Sequence, residues 1–480
     1  MGKLPFNFLT REATSAFEDV ADAYPMPSVS LGRPEVSDRL YEGMKQVDAV
    51  PAELYARYDV KRGLRNADGS GVLVGLTTIS NVHGYNKVDG RVEPDEGDLT
   101  YRGYHVADLV RSSQAEGRFG YEEVAYLLMT GELPTVAQLD DFRARIGSRR
   151  QLPEGYFSIF PRKTHSVSIM NVLQRATLLL YAYDPTPDDT TPTHEVDVAL
   201  SLLGRWPRVA SVAHQSYVAD SQGARLVIPP AREGYSMAET VLDVLRGDSG
   251  FTRDEAMMLD VMLMLHAEHG GGNNSTFTCR VLSSSGTDAY SAYAGALGSL
   301  KGPKHGGANA KAGMMADEIA ANVRDWSSDD EVAAYLERIL RGEAFDGSGL
   351  IYGIGHAVYT KSDPRARVVK GYARELARKK GGEQSEKFEL IERIERLAPE
   401  VMREVRGIDK PVSANIDLYT GIVYSMLGIP RDLFTPIFAI ARMAGWAAHR
   451  MEELYGSARI IRPAYNSFME RRDYVPISER

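Results

Sequence analysis

The chain has 480 residues, 25% of them charged and 43% apolar, a globular balance that excludes a disordered tail, a fibrous repeat and a disulfide-stapled miniprotein. Lys and Arg total 56 against 65 Asp and Glu, giving a net charge of −9; no basic stripe offers itself to a nucleic acid, although a few placed arginines suffice for a small anion. The single cysteine, Cys279, excludes an internal disulfide and points to a reducing compartment.

At roughly 150 residues per domain the length suggests two or three domains, or one large domain with an excursion. Residues 1–70 read as a helical N-terminal arm. The first twenty lack the apolar core of a signal peptide, and Gly2 is not followed by Ser or Thr at position 6, so the myristoylation pattern fails. β-Branched alternation predicts strands over Val72–Val82 and Gly97–Tyr104. The stretch TPDDTTPT, residues 186–193, predicts a loop. Thr252, with Asp254 and Glu255 in the first turn, caps a helix that is apolar on most sides and stops at Gly270-Gly271-Gly272. Its longest apolar run, Met257–Leu265, is broken by Asp260 and is far short of a membrane span. The Ala- and Gly-rich run Ala292–Leu300 lets helices approach closely. Ser328 and Glu331 form a capping box ahead of an amphipathic run to Arg341. Asp363-Pro364 opens another helix, which Gly381-Gly382 ends. Further helices are expected over Glu386–Arg406, Asp417–Leu427 and Arg431–Tyr455. The class is mainly α with a small strand element near residue 80, in a soluble cytoplasmic protein.

Four clusters carry residues with chemistry. The first is His266-Ala-Glu268-His269-Gly-Gly-Gly-Asn273. Its histidines, one helical turn apart, are either core histidines or a metal pair, and no cysteine pair, HExxH motif or third ligand completes a metal site. The second, Gly302-Pro-Lys-His305-Gly-Gly-Ala-Asn309, holds a histidine in a Gly/Pro turn before a helix. The third, Gly353-Ile-Gly355-His356 followed by Asp363-Pro-Arg365, lacks both a Walker lysine motif and a full GxGxxG. The fourth, Asn415-Ile-Asp417, opens an apolar helix, where Asp417 alone is most simply a helix-start residue. Arg365 in a first turn opposes the helix dipole, which makes sense with a carboxylate bound beside it; a solvent-facing guanidinium is the alternative. Arg442 lies inside the apolar run Phe438-Ala-Ile-Ala-Arg-Met-Ala-Gly-Trp446, where a buried arginine needs an anionic partner. Arg462 precedes Pro463, which biases it to extended backbone.

The order and spacing of these clusters resemble the citrate synthase family. The match runs from about Ile79 to the C-terminus. It includes Gly97-Asp-Leu-Thr-Tyr-Arg-Gly103, Tyr126-Leu-Leu-Met-Thr-Gly-Glu-Leu-Pro134, the GPKHGGAN turn, GIGHAVY with DPRA, and NIDLYTGIVYSMLGIP leading to FAIARMAGWAAH. Two departures stand out. His269 is followed by Gly270 where the family often has an acidic residue, and the segment Ser166–Arg175 lacks the family's His-Pro-Met run.

The resemblance implies a helical dimer whose large domain, residues 71–305 and 416–480, is closed over by a small domain, residues 306–415. It implies condensation of acetyl-CoA with oxaloacetate and water to citrate and CoA, with 2-methylcitrate synthesis from propionyl-CoA as the alternative. Matched by motif, Asp417 takes the methyl proton, His305 hydrogen-bonds the thioester oxygen and His356 polarises the oxaloacetate carbonyl. His269, Arg365, Arg442 and Arg462 hold the dicarboxylate, the last donated by the partner subunit. The backbone of Ile354, Gly355 and Ala357 lies beside the CoA adenine. No metal and no tightly bound cofactor is implied, and no nucleic-acid or membrane partner. Two other classes are a metal-binding helical protein built on His266, Glu268 and His269, and a catalytically dead binding homologue.

Overall fold

A computed structural model describes residues 50–480 apart from 157–167, 223–225, 227, 409 and 457–458. The chain divides into two units at Val72/Leu73. In the first, the described residues hold one short helix, α1 (Ala52–Arg57), followed by a 3-10 turn at Arg62–Leu64. The remainder of the expected N-terminal arm lies outside the described residues.

The second unit opens with a three-stranded antiparallel sheet: β1 (Ser80–Val88), β2 (Arg91–Tyr101) and β3 (Tyr104–His105). The hairpin turns on Asp89-Gly90, both at positive φ, a pair suited to a tight two-residue turn. This corrects the strand positions expected from sequence. Residues 72–79 alternate in hydrophobicity but pair with no strand, whereas pairing with β1 extends β2 six residues further towards the N-terminus than its alternation indicates.

The helices follow as α2 (Val106–Ala115), α3 (Tyr121–Thr130), α4 (Val136–Ser148), α5 (Ile169–Tyr181), α6 (Pro192–Gln222), α7 (Met237–Arg246), α8 (Arg253–His266), α9 (Asn274–Ser284), α10 (Ala289–Leu300), α11 (Ala308–Asn322), α12 (Asp329–Leu340), α13 (Pro364–Lys380), α14 (Gly382–Arg406), α15 (Ile416–Met426) and α16 (Phe434–Tyr455). Thr252 and Glu255 form the reciprocal capping box of α8. Asp363 caps α13 ahead of Pro364, and Gly381 ends it at positive φ. The box expected at Ser328 is only half formed. Ser328 accepts from the Glu331 N–H, but the Glu331 carboxylate turns to the N–H groups of Arg324 and Asp325.

The core is built on α8 and α16, both buried along most of their length. They pack on each other, and α16 also meets α3, α6, α9 and α10. The small residues of α10 allow close packing: a Cβ at Gly295 would collide with Leu282 of α9, and one at Gly298 would come within 2.8 Å of Gln174 of α5. Among the described residues no helix is long and apolar enough to cross a membrane.

Candidate active site

Each cluster found in the sequence sits at an element boundary. Asp417 is the second residue of α15, and Asn415 caps that helix, its Oδ1 accepting the Asp417 N–H at 2.9 Å. The cap is therefore supplied two residues earlier, which leaves the Asp417 carboxylate for other work. The loop that carries His356 is stitched to the same helix start. Asn415 donates from its N–H to the Gly353 carbonyl at 2.9 Å and from Nδ2 to the Gly355 carbonyl at 2.7 Å, and Ile354 bridges to Ala414. Gly353 and Gly355 are both at positive φ, and a Cβ at Gly353 would come within 2.7 Å of Leu418. Ile354 and Gly355 thus form the wall beside His356, with Ala357 exposed next to them.

Two N–H groups, from Val358 and Tyr359, donate to His356 Nδ1 at 3.0 and 3.1 Å. The ring hydrogen accordingly sits on Nε2. At His305 the arrangement is reversed. Its Nε2 lies 3.0 Å from Ser275 Oγ and accepts the Ser275 N–H at 3.3 Å, leaving Nδ1 as the donor. Burial, helped by Arg442, lowers His305 to about 4, so the imidazole is neutral at pH 7.

The rings of His269 and His356 are 5.2 Å apart, edge to face. Tyr359 stacks on His356 at 4.6 Å and places its hydroxyl 3.2 Å from His269 Nε2. The Arg365 guanidinium lies 5.7 Å from the Tyr359 ring centre. Arg365 is buried in a forked pair with Asp363, Nε to Oδ1 at 3.0 Å and Nη2 to Oδ2 at 2.7 Å, while Asp363 also accepts the Ile416 N–H at 3.2 Å. The partner of Arg365 here is thus a protein carboxylate, where the first-turn position suggested a bound anion. Burial works against its charge, but Asp363 and Tyr359 more than offset it and raise Arg365 above its ordinary range.

Arg442 is different. It is fully buried on α16, its guanidinium 4.7 Å from the Phe438 ring centre; Nε donates to the His266 carbonyl at 2.7 Å, and neither Nη atom has a hydrogen-bond partner among the described residues. Burial lowers this guanidinium to about 10, yet it remains charged at neutral pH. Two buried, unpaired N–H arms of a cation are costly unless a ligand takes them. Asp417 is half-buried; burial raises its carboxyl to about 6 against the opposing charges of Arg365 and Arg442. A carboxylate raised to that range is a usable base near neutral pH.

The structure therefore groups His269, His305, His356, Arg365, Asp417 and Arg442. Arg462 stands apart on the C-terminal segment, exposed and without an ion pair among the described residues, while the adjacent Ile461 N–H donates to Ser284 Oγ. Sequence reasoning missed Ser275, Tyr359 and the carboxylate role of Asp363. Tyr359 and Asp363 lie within the GIGHAVY and DPRA motifs, so proximity to His356 and Arg365 was a signal; Ser275, thirty residues from His305, gave none. His266 does not join a metal set: it faces Phe438 at 4.5 Å, and among the described residues no three His, Cys, Asp or Glu side chains converge to hold a metal.

The sequence model of the family described as citrate synthase, C-terminal domain, matches residues 67–464. A 2-methylcitrate synthase from Corynebacterium glutamicum is 35% identical over 430 residues, covering 88% of this chain and 98% of the relative. A citrate synthase from Deinococcus radiodurans is 33% identical, covering 81% and 94%. Among solved structures, the ternary complex of carboxymethyl coenzyme A and oxaloacetate with citrate synthase from Thermoplasma acidophilum superposes with a TM-score of 0.70 at 26% identity, covering 88% of this chain and 99% of that one.

Proposed function

The chain belongs to the citrate synthase family of acyl-CoA-condensing enzymes, and from that premise we propose that it joins acetyl-CoA to oxaloacetate and water, giving citrate and CoA. The observation that carries this reading is Arg442, whose two Nη groups are buried without a partner beside the raised carboxyl of Asp417. A dicarboxylate takes the first and a weak carbon acid needs the second.

In this mechanism Asp417 accepts a proton from the methyl carbon of acetyl-CoA. His305, neutral and with its hydrogen on Nδ1, donates to the thioester oxygen as negative charge grows there. A neutral donor suits the step, since it stabilises the enolate without having to lose a proton first. His356 donates from Nε2 to the oxaloacetate ketone and makes its carbon electrophilic. His269, Arg365 and Arg442 hold the carboxylates, and Arg462 reaches in from a second copy in a homodimer. The walls at Ile354, Gly355 and Ala357 receive the CoA adenine. Water then hydrolyses the citryl thioester. No tightly bound cofactor enters these steps.

Residues 306–415 serve as a small domain closing on residues 71–305 and 416–480, so that closure brings His356 and Arg365 over His305 and excludes water from the enolate. The buried free thiol of Cys279 suits a reducing compartment, the cytoplasm. The 35% identity to a 2-methylcitrate synthase keeps propionyl-CoA as the second reading. One methylene is worth only about 1–3 kcal/mol in a pocket, so the choice turns on small differences. Side-by-side kcat/KM values decide: a higher value for acetyl-CoA supports citrate synthesis, and a higher value for propionyl-CoA replaces it with 2-methylcitrate synthesis.

A further inference from the structure

Glu268 lies between His266 and His269 and has no part in the chemistry above, yet it is fully buried and one of its carboxylate oxygens takes three hydrogen bonds, while Oε2 has no hydrogen-bond partner among the described residues. Its Oε1 accepts from Ser80 Oγ at 3.0 Å, the Gly270 N–H at 2.5 Å and His449 Nε2 at 2.9 Å. His449, the charge of Arg442 and the Ser80 hydroxyl hold its carboxyl at about 2 in spite of burial. His449 is itself fully buried. Its Nδ1 faces the Arg280 guanidinium, 3.1 Å from Nε and 2.7 Å from Nη2, which fixes the ring hydrogen on Nε2 and aims it at Glu268. Arg280 in turn pairs with Glu452 and, at 2.7 Å, with Glu453.

The partners on α16 fall on one face. Phe438, Arg442, Gly445, His449 and Glu452 are spaced by four, three, four and three residues. Phe438 meets the His266 ring and Arg442 its carbonyl. Gly445 lies beneath Glu268, where any Cβ would collide with Oε2. His449 then holds Oε1, and Glu452 anchors Arg280. One helix face thus fixes the segment from His266 to Gly270 and the Arg442 guanidinium together.

We propose that Glu268, locked by His449 and Arg280, is a positioning residue that sets His269 and Arg442 for the dicarboxylate and so governs oxaloacetate affinity. The inference rests on the citrate synthase reading of this site. It differs from a general packing role in what it moves. A fold defect lowers the amount of active enzyme and leaves both KM values alone, whereas mispositioning raises the KM of oxaloacetate and spares that of the acyl-CoA.

The experiment compares His449→Leu with His449→Gln, whose amide nitrogen replaces Nε2 as donor to Glu268. His449→Leu should raise the oxaloacetate KM roughly ten-fold or more, the effect of losing a hydrogen bond to a charged group. Its acyl-CoA KM should stay within about two-fold, and His449→Gln should restore most of the difference. Arg280→Met, near the surface end of the network, frees the His449 tautomer and should shift the oxaloacetate KM in the same direction; it carries the test if His449→Leu does not fold. Unchanged oxaloacetate KM, a parallel change in both KM values, or no rescue by glutamine overturns the proposal. Wild-type enzyme is assayed alongside. If it shows no oxaloacetate-dependent release of CoA, the functional reading fails and this inference falls with it; an active wild type with unaffected variants removes the inference alone.

Discussion

Arg442 shows most clearly how single residues trade stability for binding. Its two Nη groups sit in the core with no hydrogen-bond partner among the described residues, so replacing it with an apolar side chain of similar reach removes two buried, unsatisfied donor groups. Arg442→Met is therefore expected to raise the oxaloacetate KM at least about 100-fold, the scale of a lost forked charge contact, while Tm by calorimetry stays the same or rises. Asp417 gives a pH prediction. Its carboxyl is raised to about 6, and the base must be ionised to work, so kcat should fall as pH drops through about 6 and be flat above it on that limb. The same shift carries a sign for stability. Because the fold raises this pKa, ionising Asp417 at neutral pH costs stability, and Asp417→Asn should not melt below wild type at pH 7–8. His269, His305, His356, Arg365 and Arg462 were legible in the sequence because each sits beside glycine or proline, Asp417 because it opens an apolar helix, and Arg442 because it interrupts an apolar run. Their tautomers were not: His305 is set by Ser275, thirty residues away, and His449 by Arg280, 169 residues away. Only three-dimensional contact reveals such partners.

At the scale of elements, the site depends on where helices begin and how closely they cross. The crossing of α11 and α15 brings Gly313 against Gly421, where a Cβ on Gly421 would come within 2.8 Å of the Gly313 Cα. That contact fixes the helix that starts just after His305 to the one that carries Asp417. Gly421→Ala should destabilise by about 1–3 kcal/mol, as overpacking does, and lower kcat more than it changes either KM. Equal kcat and Tm in the alanine variant would show that the crossing does not set the base. Helix starts were readable from their caps: Thr252, Asp363 and the Asn415 segment all lie where the sequence places them, within a residue or two. The strands were less so. The hydrophobic alternation of residues 72–79 has no neighbouring strand among the described residues, and the hairpin turns instead at Asp89-Gly90, which the alternation did not single out. The Ser328 box failed by half because Glu331 found backbone donors upstream that no local pattern announces.

For the whole molecule, the proposed homodimer and the proposed reaction are each open to a direct test. Arg462 is exposed, and the proposal has it enter the site of a second copy. Mixing Asp417→Ala with Arg462→Ala under subunit exchange should then recover about a quarter of wild-type activity. About half of randomly exchanged dimers are mixed, and each of these has one intact composite site out of two. No recovery despite verified exchange would place Arg462 within its own chain or outside the site. The reaction itself is tested most directly by the release of free CoA thiol from acetyl-CoA or propionyl-CoA, with and without oxaloacetate, by wild type beside Asp417→Asn. The proposed condensation requires release that depends on oxaloacetate and a kcat lower by roughly 10²–10⁴ in the variant, the loss expected on removing a positioned base. Release that ignores oxaloacetate, or that proceeds unchanged in Asp417→Asn, would contradict it.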